Sequence, residues 1–122
     1  AYGLTDEKMA NPEASIATAV KIIKSLDKSL SKYVPDKTER LKFIVAAYNS
    51  GIAHVYDAIA LAKKYGKNPE VWDDNVAETI LLKSKPEYYN DEVCKYGYFR
   101  GRQTVTYVEQ VMKFYERCKQ EI

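Results

Sequence analysis

The sequence has few of the residues on which most catalytic and metal sites depend. Its 122 residues include one histidine, two cysteines, one tryptophan, five glycines and four prolines. A serine or cysteine nucleophile would therefore have only His54 as a histidine base, and a structural role for His54 is favoured over a catalytic one. No residue cluster has the spacing of a zinc site or a phosphate-binding loop. We expect no metal and no cofactor.

Long apolar runs and an excess of one charge are also missing. The longest stretch without a charged residue or histidine, from Phe43 to Ala53, is too short and too polar to cross a bilayer. Lys and Arg number 19 against 17 Asp and Glu, a net charge of +2 that gives no basis for a nucleic-acid partner. The apolar fraction of 46% is that of an ordinary globular protein, and the length predicts a single domain over residues 1–122.

Helical periodicity and capping residues divide the chain into about five helices. Asn11 is predicted to cap the first helix, Asp36 to cap the second together with Glu39, and Gly66 to end the third in a left-handed conformation. No useful alternation of period two occurs, so we predict an all-α fold. The predicted helices are Pro12 to about Lys32, Lys37 to Tyr48, Gly51 to Tyr65, Val76 to Leu82, and Thr104 to Gln120.

Apolar spacing also predicts the face that each helix turns to the core. From Lys85 to Arg102 this pattern is lost, and aromatic residues crowd a segment that we predict to be a loop. The predicted inward positions are Ile16, Val20, Ile23, Leu26 (with Ile22) and Leu30 in the first helix, Leu41, Ile44, Val45 and Tyr48 in the second, Val55, Ile59 and Ala62 in the third, and Tyr107, Val111, Phe114 and Cys118 in the last.

The segment Tyr48-Asn49-Ser50-Gly51 is unusual, because it places polar groups and a glycine between two helices that look apolar. Asn49 offers a donor and an acceptor that suit an acetamido group or sugar hydroxyls, and Tyr48 offers a flat face and a hydroxyl. Gly51 permits a sharp change of direction. From composition alone, however, a simple capping role is favoured over a binding site.

The segment AAYNSG, Ala46 to Gly51, resembles the Ala-Ala-Tyr-Asn-x-Gly motif of lytic murein transglycosylases. Further motifs follow in the order found in the membrane-bound F group of that family, and the likeness covers nearly all of the chain. These segments read GKNPEVW, YY, KYGYFRG and TYVEQVMKFYE. The resemblance implies the C-terminal part of a lysozyme-like helical domain, of the goose-type lysozyme and SLT kind.

The resemblance also implies a reaction, the cleavage of peptidoglycan between N-acetylmuramic acid and N-acetylglucosamine to give 1,6-anhydro-muropeptides. It implies substrate-binding roles for Tyr48, Asn49, Gly51, Gln103 and Tyr107, with Tyr107 orienting the catalytic glutamate. That glutamate belongs to a Glu-Ser motif expected upstream of Ala1, so no catalytic residue is assigned here and the chain alone is expected to be inactive. Gln103 stands where the family often has Glu, and Ala53 replaces a glycine.

Two alternatives to this reading remain. One is a non-catalytic peptidoglycan-binding module, and the other is a helical interaction protein in which Tyr-Asn-Ser-Gly is only a cap. The family implies peptidoglycan as the partner, a location in the bacterial periplasm or envelope, and no membrane contact by this chain itself. Cys94 and Cys118 could be free thiols or a disulfide, and an oxidising envelope would favour the disulfide. Self-association through exposed apolar surface is also expected.

Overall fold

The computed structural model describes residues 12–120, with side chains from Ser15 onward. No strand occurs in this range. The helices are α1 (Pro12–Leu30), α2 (Lys37–Ser50), α3 (Ile52–Lys64), α4 (Ala77–Leu82), α5 (Pro86–Tyr89) and α6 (Arg102–Gln120). The all-α prediction is confirmed, and the additional helix is the single turn α5, which lies inside the predicted loop. The predicted cap Asn11 lies outside the described residues.

The connection between α1 and α2 is held by a cap and by an arginine. Asp36 accepts a hydrogen bond from the backbone N–H of Glu39 at 2.8 Å, which confirms the predicted cap. The Glu39 carboxylate accepts from the backbone N–H of Trp72 at 2.9 Å instead of completing the capping box. Arg40 donates from Nε to Asp27 at 2.8 Å and from Nη1 to the carbonyl of Val34 at 3.1 Å. Because Asp27 belongs to α1 and Arg40 to α2, these bonds fix the angle at which the two helices meet.

The core forms where α1 to α4 meet, and α6 closes one side of it. Phe43 of α2 and Trp72 pack edge to face, with ring centroids 5.5 Å apart. Tyr48, predicted to face inward, is instead 42% exposed. The buried apolar residues are Leu26, Leu30, Val34, Phe43, Ile44, Ala46, Ala47, Val55, Ala58, Ile59, Leu61, Ala62, Trp72, Val76, Ala77, Ile80 and Val108.

The apolar face predicted for α1 is correct over only half of the helix. Leu26 and Leu30 are buried, whereas Ile16, Val20 and Ile23 are exposed to solvent. All five positions follow the same helical spacing, so periodicity cannot show where the cover ends. Within residues 12–120, only the C-terminal half of α1 has its apolar face covered.

The face predicted for α6 is wrong. Thr104 and Val108 are buried, and Val105 and Met112 pack against the core cluster. The predicted face is turned away from the core, with Phe114 61% exposed and the other members half-buried. Two stripes of similar spacing run along this helix, and the buried stripe is the one that contains a threonine.

The segment between α3 and α4 is a compact turn that positions Trp72. Gly66 has a φ of +78° and Lys67 donates its N–H to the carbonyl of Ala62 at 2.8 Å, which confirms the predicted left-handed helix end. Asp74 also has positive φ, inside the kinked stretch Trp72–Val76. None of the helices over residues 12–120 is long and apolar enough to cross a membrane.

Candidate functional site: the corner between α2 and α3

The break between α2 and α3 depends on a glycine. Gly51 has a φ of +91°, a conformation that favours glycine, and its N–H bonds to the carbonyl of Ala47 at 2.8 Å. The hydroxyl of Ser50 donates back to the carbonyl of Ala46 at 2.8 Å. Ala53 already lies within α3, where alanine is a better helix former than glycine. The replacement of the family glycine at position 53 is therefore compatible with this corner.

Asn49 connects this corner to the beginning of α6. The hydroxyl of Thr104, which is buried, donates to Oδ1 of Asn49 at 2.8 Å across 55 positions of sequence. Within residues 12–120 the amide NH₂ of Asn49 has no hydrogen-bond partner, and the residue is exposed. One end of the side chain is thus fixed, and the other end presents two donors to solvent.

The other candidate residues lie close in sequence to the two partners of this bond. Tyr48 is exposed, and in the described part of the chain its ring has no aromatic partner. Gln103 is exposed in the first turn of α6, and Tyr107 is half-buried one turn after Thr104. The fold therefore brings the end of α2, Gly51 and the start of α6 into one corner.

The chemistry available at the corner is neutral. Between residues 12 and 120, the hydrogen bonds of Asn49 and Ser50 involve hydroxyl, amide and backbone groups and no carboxylate. Such a surface can orient an uncharged polar ligand, but it holds no acid that could protonate a leaving group. A separate open groove of about 1070 Å³ lies between α4 and the outer part of α6, and the corner residues do not line it.

His54 belongs to a buried polar network that sequence reasoning missed. Lys83 is fully buried and its Nζ lies 2.7 Å from Oδ2 of Asp57 and 2.7 Å from Nδ1 of His54. Since the ammonium can only donate, Nδ1 accepts and the proton of the neutral ring lies on Nε2. Burial, followed by the positive charge of Lys83, lowers the pKa of His54. The ring stacks on Phe99 with centroids 4.2 Å apart, so the structural role favoured for His54 fits these contacts.

Asp57 also holds the aromatic segment that follows α5. Its two oxygens accept the backbone N–H groups of Lys95 and Tyr96, each at 2.9 Å. The N–H of Phe99 in turn donates to the carbonyl of Lys83 at 3.2 Å. The segment predicted to be a loop is therefore bound to α3 and α4 through its backbone. A signal existed only for Asp57, which interrupts an apolar run of α3, because Lys83 follows the last residue of α4.

A second ion pair fixes the beginning of that segment. Lys64 donates to both oxygens of Asp91 at 2.8 Å, and the Tyr65 hydroxyl donates to the same carboxylate at 2.7 Å. Hydrogen bonds from Lys64, then from Tyr65, hold the pKa of Asp91 at about 2. This salt bridge connects the end of α3 to the residues just after α5.

The cysteines are not joined. Cys94 and Cys118 are both free, which corrects the expectation of a disulfide drawn from the resemblance. Burial raises the pKa of the Cys94 thiol, so the thiolate is disfavoured there. No group of three or more potential metal ligands occurs among the residues that the structure describes.

Comparison with known proteins identifies relatives that match most of the chain. The membrane-bound lytic murein transglycosylase F of Citrobacter koseri is 40% identical over 112 residues, which are 92% of this chain and 21% of the relative. The protein of the same name from Cronobacter sakazakii is 39% identical over 112 residues, 92% of this chain and 20% of the relative. That from Shewanella halifaxensis is 37% identical over 106 residues, 87% of this chain and 22% of the relative.

The chain spans about a fifth of the length of these curated relatives. The family model described as the transglycosylase SLT domain matches residues 1–71, more than half of the chain. The matched part includes α1, α2 and the corner at Asn49 and Gly51. The chain therefore belongs to the transglycosylase SLT domain family.

Proposed function

We propose that this chain forms the glycan-binding wall of a lytic murein transglycosylase. The observation that carries the proposal is Asn49, whose Oδ1 is held by buried Thr104 while its two amide protons face solvent. An amide fixed in this way can donate to the acetamido carbonyl or a hydroxyl of a sugar with little loss of side-chain entropy. The names of the relatives, and the family to which the chain belongs, support peptidoglycan as the polymer.

The neighbouring residues receive roles that follow from their positions. Tyr48, exposed beside Asn49, stacks on a sugar ring, and Gly51 keeps the corner open to the strand. Tyr107 and Gln103, at the start of α6, supply a hydroxyl and an amide that orient the general acid. In the parent enzyme that acid protonates the leaving sugar, and the muramic 6-hydroxyl then closes on C1 to give the 1,6-anhydro product.

We further propose that this chain binds glycan without cleaving it. The 122-residue sequence contains no Glu-Ser dipeptide, and the polar contacts of the corner involve no carboxylate over residues 12–120. A reaction in which one glutamate acts first as acid and then as base needs no second carboxylate, unlike the common glycosidase pair. Removal of that one residue therefore leaves recognition without chemistry, in a protein of the bacterial periplasm or envelope.

A titration with N-acetylglucosamine oligomers tests the proposal by NMR. The amide signals of Tyr48 and Asn49 should move, and Asn49→Ala should weaken binding by about fivefold or more, the effect of one hydrogen bond of about 1 kcal/mol. Asn90→Ala, an exposed asparagine outside the corner, is the matched control. Signals that stay unmoved would leave a helical interaction protein as the better reading.

Digestion of purified sacculi tests the absence of turnover. We expect no anhydro-muropeptides from this chain alone, because it supplies no general acid at the corner. Release of such products, which mass spectrometry would detect, contradicts this part of the proposal while leaving the glycan-binding part intact.

We also propose that the isolated chain associates with itself through α1. Ile16, Val20 and Ile23 lie on one face of this helix and are 65%, 44% and 43% exposed. Such a stripe gains free energy when a second copy covers it. Light scattering should show mass increasing with concentration, and the double variant V20K/I23K should remain monomeric. A wild-type chain that is monomeric at every concentration would disprove the association.

A further inference from the structure

A second, smaller cleft lies beside the buried network, because Asp57 of that network forms part of its lining. It has a volume of about 250 Å³ and is lined by residues from the turn after α1, from α3 and from the segment after α5. We propose that this tyrosine cleft, defined by Tyr33, Tyr56, Tyr96, Lys63 and Lys95, binds a carboxylate-bearing sugar unit of the peptidoglycan strand. The inference rests on the proposed function in taking the ligand from peptidoglycan.

Aromatic rings form the walls of the cleft. The ring centroids of Tyr33 and Tyr56 lie 5.1 Å apart, with an angle of 44° between the ring planes. Tyr96 is 54% exposed, and its ring has no aromatic partner within residues 12–120. A tyrosine ring that is free on its face and polar at its tip can cover the apolar face of a pyranose while bonding to its hydroxyls.

The backbone that carries the Tyr96 ring is nevertheless fixed in place. The N–H groups of Lys95 and Tyr96 donate to Asp57, whose carboxylate is held by the fully buried ammonium of Lys83. A ligand that binds here does not have to order this segment, so less of the contact free energy is lost to entropy. Exposed side chains on a rigid backbone are typical of binding sites.

The rim of the cleft is positive. Lys63 and Lys95 line it, and the ammonium of Lys32 lies 5.3 Å from the ring centroid of Tyr33. None of these three lysines has an ion pair in the described part of the chain. The one carboxylate at the base, that of Asp57, is balanced by Lys83. The cleft therefore attracts an anionic group, and aromatic walls with a cationic rim suit a sugar that carries a carboxylate.

N-acetylmuramic acid has this combination, because its lactyl group ends in a carboxyl that is either free or amide-linked to a peptide with its own carboxylates. Tyr56 lies five residues beyond Gly51, about 7.5 Å along the axis of α3 at the usual rise per residue. One strand is proposed to contact both the corner and the tyrosine cleft. The corner would take the neutral part of a repeat, and the cleft would take the anionic part.

Three ligands compared by NMR and calorimetry test the inference on the 122-residue chain. They are a neutral N-acetylglucosamine oligomer, a peptide-free strand with free lactyl carboxylates, and a strand that carries its stem peptides. The signals of Lys95 and Tyr96 should move with one or both carboxylate ligands and stay unmoved with the neutral one. Which carboxylate ligand binds more tightly identifies the lactyl or the peptide group as the source.

Variants then connect binding to the cleft. Tyr96→Ala should weaken the binding of the carboxylate ligand about three- to tenfold, which corresponds to the loss of one aromatic contact. The double variant K63Q/K95Q should bind the carboxylate ligand no more tightly than the neutral one. Tyr98→Ala is the matched control, because Tyr98 is 58% exposed on the same segment but does not line the cleft. Movement at Asn49 without movement at Tyr96 overturns the inference and leaves the proposed function standing. Movement at neither site overturns both.

Discussion

Two hydrogen-bonded connections join distant segments of this fold, and they differ in burial and in role. One is buried and stabilises the fold, and the other is open to solvent and can contact a ligand. Lys83, Asp57 and His54 form a charged network in which Lys83 and Asp57 are almost fully excluded from water. Asn49 and Thr104 form a single neutral bond, with Thr104 buried and Asn49 exposed. The first uses its polar groups on the protein itself, whereas the second leaves amide donors available to a ligand.

The difference shows that polar side chains can stabilise the fold at one site of a small protein and bind a ligand at another. A buried charge is tolerated only when other groups satisfy it, so the network has no free capacity for a ligand. At the corner, by contrast, water can satisfy the amide donors of Asn49, so they cost little free energy in the absence of a ligand. A sugar can then replace this water. Four changes test this distinction, in order of decreasing expected effect.

Breaking the buried pair should have the largest effect. Asp57→Ala leaves the Lys83 ammonium buried without its carboxylate and should lower the free energy of unfolding by about 3–5 kcal/mol in urea denaturation. Glu109→Ala, which removes an exposed pair with Lys113, is the control and should cost less than about 1 kcal/mol. A loss of that smaller size for Asp57→Ala would mean that the network is no more important than a surface pair.

Closing the space at Gly101 should have the next largest effect. A Cβ at this position would lie 2.6 Å from the carbonyl oxygen of Ile80, so Gly101→Ala forces α6 away from α4. We expect a loss of about 1–3 kcal/mol, typical of an overpacked site, together with shifted NMR signals at Thr104. Thr106→Ala, at an exposed position of α6, should change neither the free energy of unfolding nor the packing of Thr104. An unchanged Gly101→Ala protein would show that α4 and α6 are not held this closely.

Removing the bond at the corner should cost less. Thr104→Val keeps the shape of the side chain but deletes the donor to Asn49, for a loss of about 0.5–1.5 kcal/mol in the free energy of unfolding. Thr104→Val should also weaken the binding of N-acetylglucosamine oligomers, because Asn49 is no longer held in position. Thr104→Ser restores the hydroxyl and should recover that binding, although it removes a methyl group. Equal glycan affinity in the Val and Ser variants would contradict the positioning of Asn49 by Thr104.

The smallest expected change is a gradual one with pH. Because the pKa of His54 is lowered in the folded chain from its usual value of 6.5, the unfolded chain binds the proton more readily. Stability is therefore complete above about pH 6.5 and declines as the pH falls through the folded pKa. His54 is the only histidine, so its NMR titration is unambiguous, and His54→Asn should flatten the decline. A folded pKa above 6.5 would reverse the sign and contradict the network geometry.

The sequence carried enough information for the parts of the fold that depend on local chemistry. The cap at Asp36 and the left-handed Gly66 are each decided by a few neighbouring residues, and both occur as predicted. The break at Gly51 is of the same kind. What failed was the choice of buried face in α6 and in the first half of α1, because burial depends on which partner helix is present.

The candidate site shows the same division. The resemblance grouped Asn49 with Gln103 and Tyr107, and the fold places the end of α2 against the start of α6, but Thr104 was not singled out. A threonine on an amphipathic helix gives no sign that it is buried until its partner is known. The pairing of Lys83 with Asp57 was equally hidden, because it joins residues 26 positions apart.

Asp57 binds the neighbouring segment through main-chain N–H groups at positions 95 and 96, and this affects which substitutions the segment can accept during evolution. Every residue except proline supplies such a group, so the side chains at both positions can be exchanged without loss of these hydrogen bonds. New ligand preferences could be sampled at this surface while its path stays constant. Proline is the one replacement that evolution should avoid at either position.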